Sequence, residues 1–201
     1  MGFRIALSSY ALGSGSGEDG GPGGTYGYGA SIEGSVSIPV TNTVAFKPGL
    51  YFTYGAPIIE LRGSAYPTNT TGSEIKVALI ESISVREFAI GIPLLMQAAI
   101  TGNKKVFVEA GIDASIPFGT TMVFDRNTYR SNTYNYDRDT TYSVDIYDMR
   151  TSFDLGIVCG FGFNITERLA LDIRNVTYLN SFLRIASVRY SRYCLGVNVL
   201  F

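Results

Sequence analysis

Histidine and tryptophan are absent from the 201 residues, cysteine occurs twice, and charged residues make up only 16%. Without imidazole the chain lacks the usual general base of hydrolases and the commonest metal ligand. A charged fraction of 16% is low against the quarter usual for soluble domains. The net charge is −1 and the Lys and Arg residues are scattered singly. No basic patch exists for nucleic acid, so that partner class is excluded. Long apolar runs are missing too. The longest uncharged apolar stretch, Phe88 to Ile100, carries Pro93 in its middle. It falls short of the roughly 20 residues a spanning helix needs. Met1-Gly2-Phe3 leads directly into an alternating segment. This is read as a mature chain whose export signal has been removed.

What is present is glycine (23), tyrosine (14) and a period of two along the whole chain. That period is the signature of strands with two unlike faces. Over about 3–12, Phe3, Ile5 and Leu7 oppose Arg4, Ala6, Ser8 and Tyr10. Over about 25–38, Tyr26, Tyr28, Ile32, Val36 and Ile38 oppose glycine, serine and Glu33. Further strands are expected from Val44, over about 82–100, 105–117, 151–163 and 168–179, and up to Phe201. The connections alternate in length. Those near 40–43, 101–104 and 164–167 are tight, whereas 13–24, 56–80, 119–148 and 180–187 are mostly long and polar.

An even strand count with alternating short and long connections predicts an all-β fold. It is an eight-stranded antiparallel up-and-down transmembrane β-barrel, with short periplasmic turns and long outer loops, spanning 1–201 as one domain. Lipid requires closure, because an open edge would leave backbone groups unsatisfied. The faces are assigned by composition. One face is bulky and apolar; the other is about half Gly, Ser and Ala with single charges. An eight-stranded interior has room only for side chains, so the small face is placed inside. A soluble lipocalin-like barrel, with the apolar face lining a ligand cavity, is the alternative. The inward charges are Arg4, Lys47, Arg174 and Arg192 against Glu33, Glu87, Glu109, Asp113, Asp154 and Asp172. Buried charges persist only when paired, so an interior salt-bridge network is expected.

Few residues suggest chemistry. Glu109 and Asp113 could serve as paired carboxylates, but their inward strand positions favour packing. The Gly13–Gly17 run lacks the Lys-Ser/Thr of a phosphate loop. Asp137, Asp139, Asp145 and Asp148 lack calcium-loop spacing and read as solvated acids. No catalytic residue, metal or cofactor is expected. Cys159 and Cys194 fall on opposite faces and are expected to be free thiols. Tyr129, Tyr134, Tyr136, Tyr142 and Tyr147 form the candidate recognition loop, since tyrosine is enriched at interfaces. Extension of the strands above the membrane, or an aromatic girdle, is the simpler account of the same residues.

The outward stripe Tyr193, Leu195, Val197, Val199 and Phe201 looks like the terminal strand by which outer-membrane barrels are recognised for insertion. Glu87-Phe88-Ala89-Ile90-Gly91-Ile92-Pro93-Leu94-Leu95-Met96 resembles the "xxIPLLLK" strand of the PorT-like outer-membrane β-barrels of Bacteroidetes-type bacteria. Val106-Phe107-Val108-Glu109-Ala110-Gly111 and the Phe153–Gly162 stretch are similar to two further strands of that group. The likeness covers about 80–201 and departs at Arg174-Asn175-Val176, where the group tends to be Tyr-rich. It implies residence in the outer membrane and carries no active site. Membrane lipid and detergent are the expected partners, with envelope or secretion proteins as candidates. The expected function is a non-enzymatic barrel, structural or recognising a partner through its outer loops, or an envelope-complex subunit. A narrow pore is the alternative.

Overall fold

The computed structural model describes residues 1–13, 23–60, 65–67, 76–101, 104–130, 136–145, 151–180 and 189–201. Among these the strands are β1 (Gly2–Gly13), β2 (Gly23–Ser35), β3 (Ile38–Pro39), β4 (Val44–Glu60), β5 (Ala65–Pro67), β6 (Lys76–Ala99), β7 (Val106–Arg130), β8 (Tyr136–Asp145), β9 (Asp154–Asn164), β10 (Leu169–Tyr178) and β11 (Arg189–Leu200).

Eight of them form a ring in which every pairing is antiparallel: β1–β2, β2–β4, β4–β6, β6–β7, β7–β9, β9–β10, β10–β11 and β11–β1. The β4–β6 pairing closes the cylinder and removes the edges. β3, β5 and β8 are accessory strands on β4, β6 and β7.

Burial alternates along the strands, and the side that meets the outside is the bulky one. Leu7 is 68% exposed, Ile116 61% and Leu195 58%, whereas inward Asp113 and Asp154 are each 1% exposed. A lipocalin-like barrel would reverse these values. That alternative falls: acyl chains, not a central ligand, solvate the apolar face.

The described parts of two segments expected as loops are strand instead. The 56–80 segment holds the end of β4, all of β5 and the start of β6; 119–148 holds the rest of β7 and β8. Register shifts explain the misreading. The β6–β7 ladder slips between Ile80 and Ser82 and between Arg86 and Phe88, and β7–β8 slips between Phe124 and Arg126. Each bulge breaks the period of two on which strand recognition rests. Gly119, next to the Arg86/Phe88 slip, has φ +58°, a left-handed conformation that suits glycine. A smaller difference lies at β2, which ends at Ser35; Ile38 belongs to the separate β3.

β9, β10 and β11 have 11, 10 and 12 residues, close to a tilted crossing of about 9–11. β6 and β7 have 24 and 25. Their surplus projects beyond the rim on the side away from the short turns.

Candidate functional site

The interior is built in two tiers. The first lies toward the short turns. Alternation turns Arg4, Glu33, Lys47, Glu109, Asp172 and Arg174 inward from β1, β2, β4, β7 and β10. Arg174 is the hub. Its Nη1 donates to Glu33 Oε2 at 2.7 Å and its Nε to Glu109 Oε2 at 2.7 Å, with Asp172 Oδ1 at 3.7 Å. Lys47 Nζ donates to Glu109 Oε1 at 2.9 Å. Arg4 grips Asp172 with Nε at 2.9 and 3.0 Å from its two oxygens and Nη2 at 2.5 Å, and its Nη1 lies 3.7 Å from Glu33. The Asn198 amide also donates to Asp172. Three cations thus face three carboxylates, all nearly inaccessible to water.

The second tier lies toward the projecting strands and relies on phenols. Tyr51 and Tyr178 both donate to Asp113 Oδ2, at 2.7 and 3.2 Å, and Tyr190 donates to Asp154 Oδ2 at 2.8 Å. Thr151 donates to Asp154 Oδ1 at 3.3 Å. The rings of Tyr178 and Tyr190 stack with centroids 4.2 Å apart, and Tyr10 lies 6.4 Å beyond. Arg192 Nη2 is 3.5 Å from Asp113 Oδ2, and its guanidinium carbon is 4.9 Å from the Tyr51 ring centroid. Glu87 is buried in this half as well. Asp113 Oδ1, Thr120 Oγ1 and Arg192 Nε are buried with no hydrogen-bond partner.

Glycine on the neighbouring strand makes room for several of the large inward groups. A Cβ at Gly91 would run into the Tyr51 ring, one at Gly162 into the Phe107 ring, and one at Gly196 to 2.5 Å from Arg4 Nε. The abundance of glycine on the inner face is therefore a packing requirement.

The structure buries all ten inward charges of the sequence reading, Glu87 included, in the tube, divided between the tiers. Tyr193, Leu195, Val197, Val199 and Phe201 form an exposed stripe on and just past β11. In the candidate recognition loop, Tyr129 lies in β7 opposite Tyr136 of β8, and Tyr142 stands opposite Phe124. Tyr134 and Tyr147 lie outside the described residues, as does Asp148. Asp137, Asp139 and Asp145 lie in β8. Sequence reasoning missed the phenol tier. Tyr10 stands on the small face in the alternation without a role, and the phenols of Tyr51, Tyr178 and Tyr190 are given none. Their signal was parity, since Tyr178 is in phase with Asp172 and Arg174, and Tyr190 with Arg192.

Several solved structures align over almost the whole chain. Ail, the attachment invasion locus protein of Yersinia pestis, shares 13% identity, covers 100% of this chain and 97% of its own, and gives a TM-score of 0.44. Neisserial surface protein A shares 13%, with 99% and 97% covered and a TM-score of 0.47. The outer membrane enzyme PagL shares 14%, with 98% and 99% covered and a TM-score of 0.42. A comparison with curated proteins finds no match. The profile of one family, described as the outer membrane protein beta-barrel domain, matches residues 2–184. With that match over nearly the whole closed cylinder, the chain belongs to the outer membrane β-barrel family, and its place is the outer membrane.

Proposed function

We propose that this protein is a non-enzymatic barrel with a structural or surface-recognition role, carried by the part of the sheet that projects past the rim. Participation in an envelope or secretion complex is one form of that role. The observation that carries the reading is the length of β6 and β7, 24 and 25 residues, with β8 paired on the outer part of β7. Lipid requires far less strand than this. The surplus has its best use as a platform outside the membrane. The filled interior supports the same reading over a pore, because ion pairs and stacked rings occupy the axis that a solute would need. The Tyr193, Leu195, Val197, Val199 and Phe201 stripe is proposed as the feature read during insertion.

The test removes the platform. Thr121 and Asp145 are directly opposite in register, so residues 122–144 can be replaced by an Asn-Gly turn that closes the hairpin there. The shortened barrel is expected to insert with normal heat-modifiable mobility. In the full-length protein a photoreactive residue at Tyr129 or Tyr136 is expected to cross-link to envelope components of intact cells, and the shortened barrel should no longer co-purify with the components so captured. An absence of such cross-links in the full-length protein, or stable single-channel openings in planar bilayers, would overturn the proposal.

A further inference from the structure

The mouth of the barrel on the short-turn side holds a cavity of about 330 Å³, within the size range of small-molecule sites. Its walls are the turn after β3, the end of β6, the start of β7 and Asn164 at the end of β9. Ser37, Asn42, Gln97, Lys104 and Asn164 supply its polar lining, and Phe107 contributes from below. Lys104 is its one cation, and no carboxylate lines it among the described residues. An adjoining cavity of about 250 Å³ shares Ser37, Gln97, Phe107 and Asn164 and reaches Lys47.

Three observations show a built site. First, its polar groups are open to a ligand: the side chains of Ser37, Asn42, Gln97 and Lys104 hold no hydrogen bond or ion pair to protein among the described residues, and all four are reached by water at the mouth. Second, its walls are tied together. Ala99 N donates to Thr43 O at 2.8 Å, Thr41 Oγ1 accepts from Val44 N at 3.1 Å, and Asn164 Nδ2 donates to Lys104 O at 2.7 Å. Preorganised walls lower the cost of binding. Third, Lys104 is the one non-glycine residue with positive φ among the described residues, at 55°. Glycine or asparagine would sit there at lower cost. A lysine in this left-handed conformation at a cavity points to its ammonium being used.

We infer that this vestibule binds the carboxylate of a short peptide from the periplasmic side. Lys104 would take the carboxylate, and the free amides of Gln97 and Asn42 would pair with peptide groups. The site is blind. Phe107 is 3% exposed and Lys47 Nζ lies 5.9 Å from its ring centroid, so a ligand can dock but not pass. This inference is independent of the role given to the outer platform.

The experiment is an amide chemical-shift titration of the refolded barrel with acetyl-L-alanyl-L-glutamate and with L-alanyl-γ-D-glutamate, each beside its fully amidated form. Saturable shifts at millimolar peptide are expected, confined to residues 41–44, 97–99, 104–107 and 164. Amidation should weaken them about tenfold or more, the usual worth of a charge-assisted contact. Preference for the γ-D peptide would identify cell-wall stem fragments as the source; preference for the α-L peptide would identify protein tails. Lys104→Gly should abolish saturation while leaving the unfolding midpoint unchanged or raised, which separates binding from folding. Equal shifts with the amidated peptides, shifts that do not saturate, or wild-type binding by Lys104→Gly would each overturn the inference.

Discussion

The two halves of the interior solve one problem by different chemistry. Near the short turns, carboxylates are met by cations: Arg174 alone reaches Glu33, Glu109 and Asp172. Toward the projecting strands, Asp113 and Asp154 are met mainly by phenol donors, and Arg192 lies between tyrosine rings. The ionic half depends on every member being present, because one deletion strands several charges at once. The phenolic half spreads its load over neutral donors and stacked rings. It tolerates three buried atoms with no partner, all of them outside the ionic tier.

The sharpest way to break this comparison is Arg174→Met. The substitution keeps much of the side-chain volume and leaves Glu33, Glu109 and Asp172 with only Lys47 and Arg4 as cations. Removing one partner of a buried pair costs about 3–5 kcal/mol, and that loss is expected in the denaturant midpoint of the lipid-embedded barrel. A loss below about 1 kcal/mol would mean that the ionic tier behaves like a surface cluster. Next in size is Gly91→Ala in the phenolic half. The new methyl group would collide with Tyr51 and disturb its bond to Asp113. Overpacking of this kind costs about 1–3 kcal/mol. Tyr51→Phe removes only the hydroxyl. Because Tyr178 still donates to the same oxygen at 3.2 Å, the loss should be near about 1.5 kcal/mol, the low end for a bond to a charged acceptor. If Tyr51→Phe matched Arg174→Met, the distinction between the tiers would disappear.

How much of this was legible in the sequence depended on whether the period of two ran unbroken. In β1, β9, β10 and β11 it does, so strand existence, phase and the inward charges could all be read without coordinates. Lys47 and Glu109 were assigned to the same interior by parity alone. Which partner each charge takes was hidden, because Glu33 and Arg174 are 141 residues apart and meet only through closure and strand tilt. The outer part of β6 and β7 was hidden for another reason. Bulges near Glu81 and Gly119 reset the phase, and outside lipid neither face has to be uniformly apolar. The vestibule could not be seen either, since Lys104 reads as an ordinary turn residue until its positive φ is known.

The smallest expected effect concerns the two thiols, one on each face. Cys159 stands opposite Asn175 of β10, and Asn175 stands opposite Tyr193 of β11, next to Cys194. The cysteines are therefore two strands apart, about 9–10 Å at ordinary strand spacing. A disulfide rarely spans more than about 7 Å between Cα atoms. Cys159 is exposed toward lipid, whereas Cys194 is buried with its sulfur 3.5 Å from Ser8 Oγ. Forming the bond would require β10 to leave the ladder. Treatment with copper–phenanthroline should therefore change neither the unfolding midpoint nor the monomer's mobility, and two thiols should titrate after denaturation. If both were lost within a monomer, Cys159 could not face outward, and the assignment of faces on β9, from which the ionic and phenolic tiers are both measured, would fail with it.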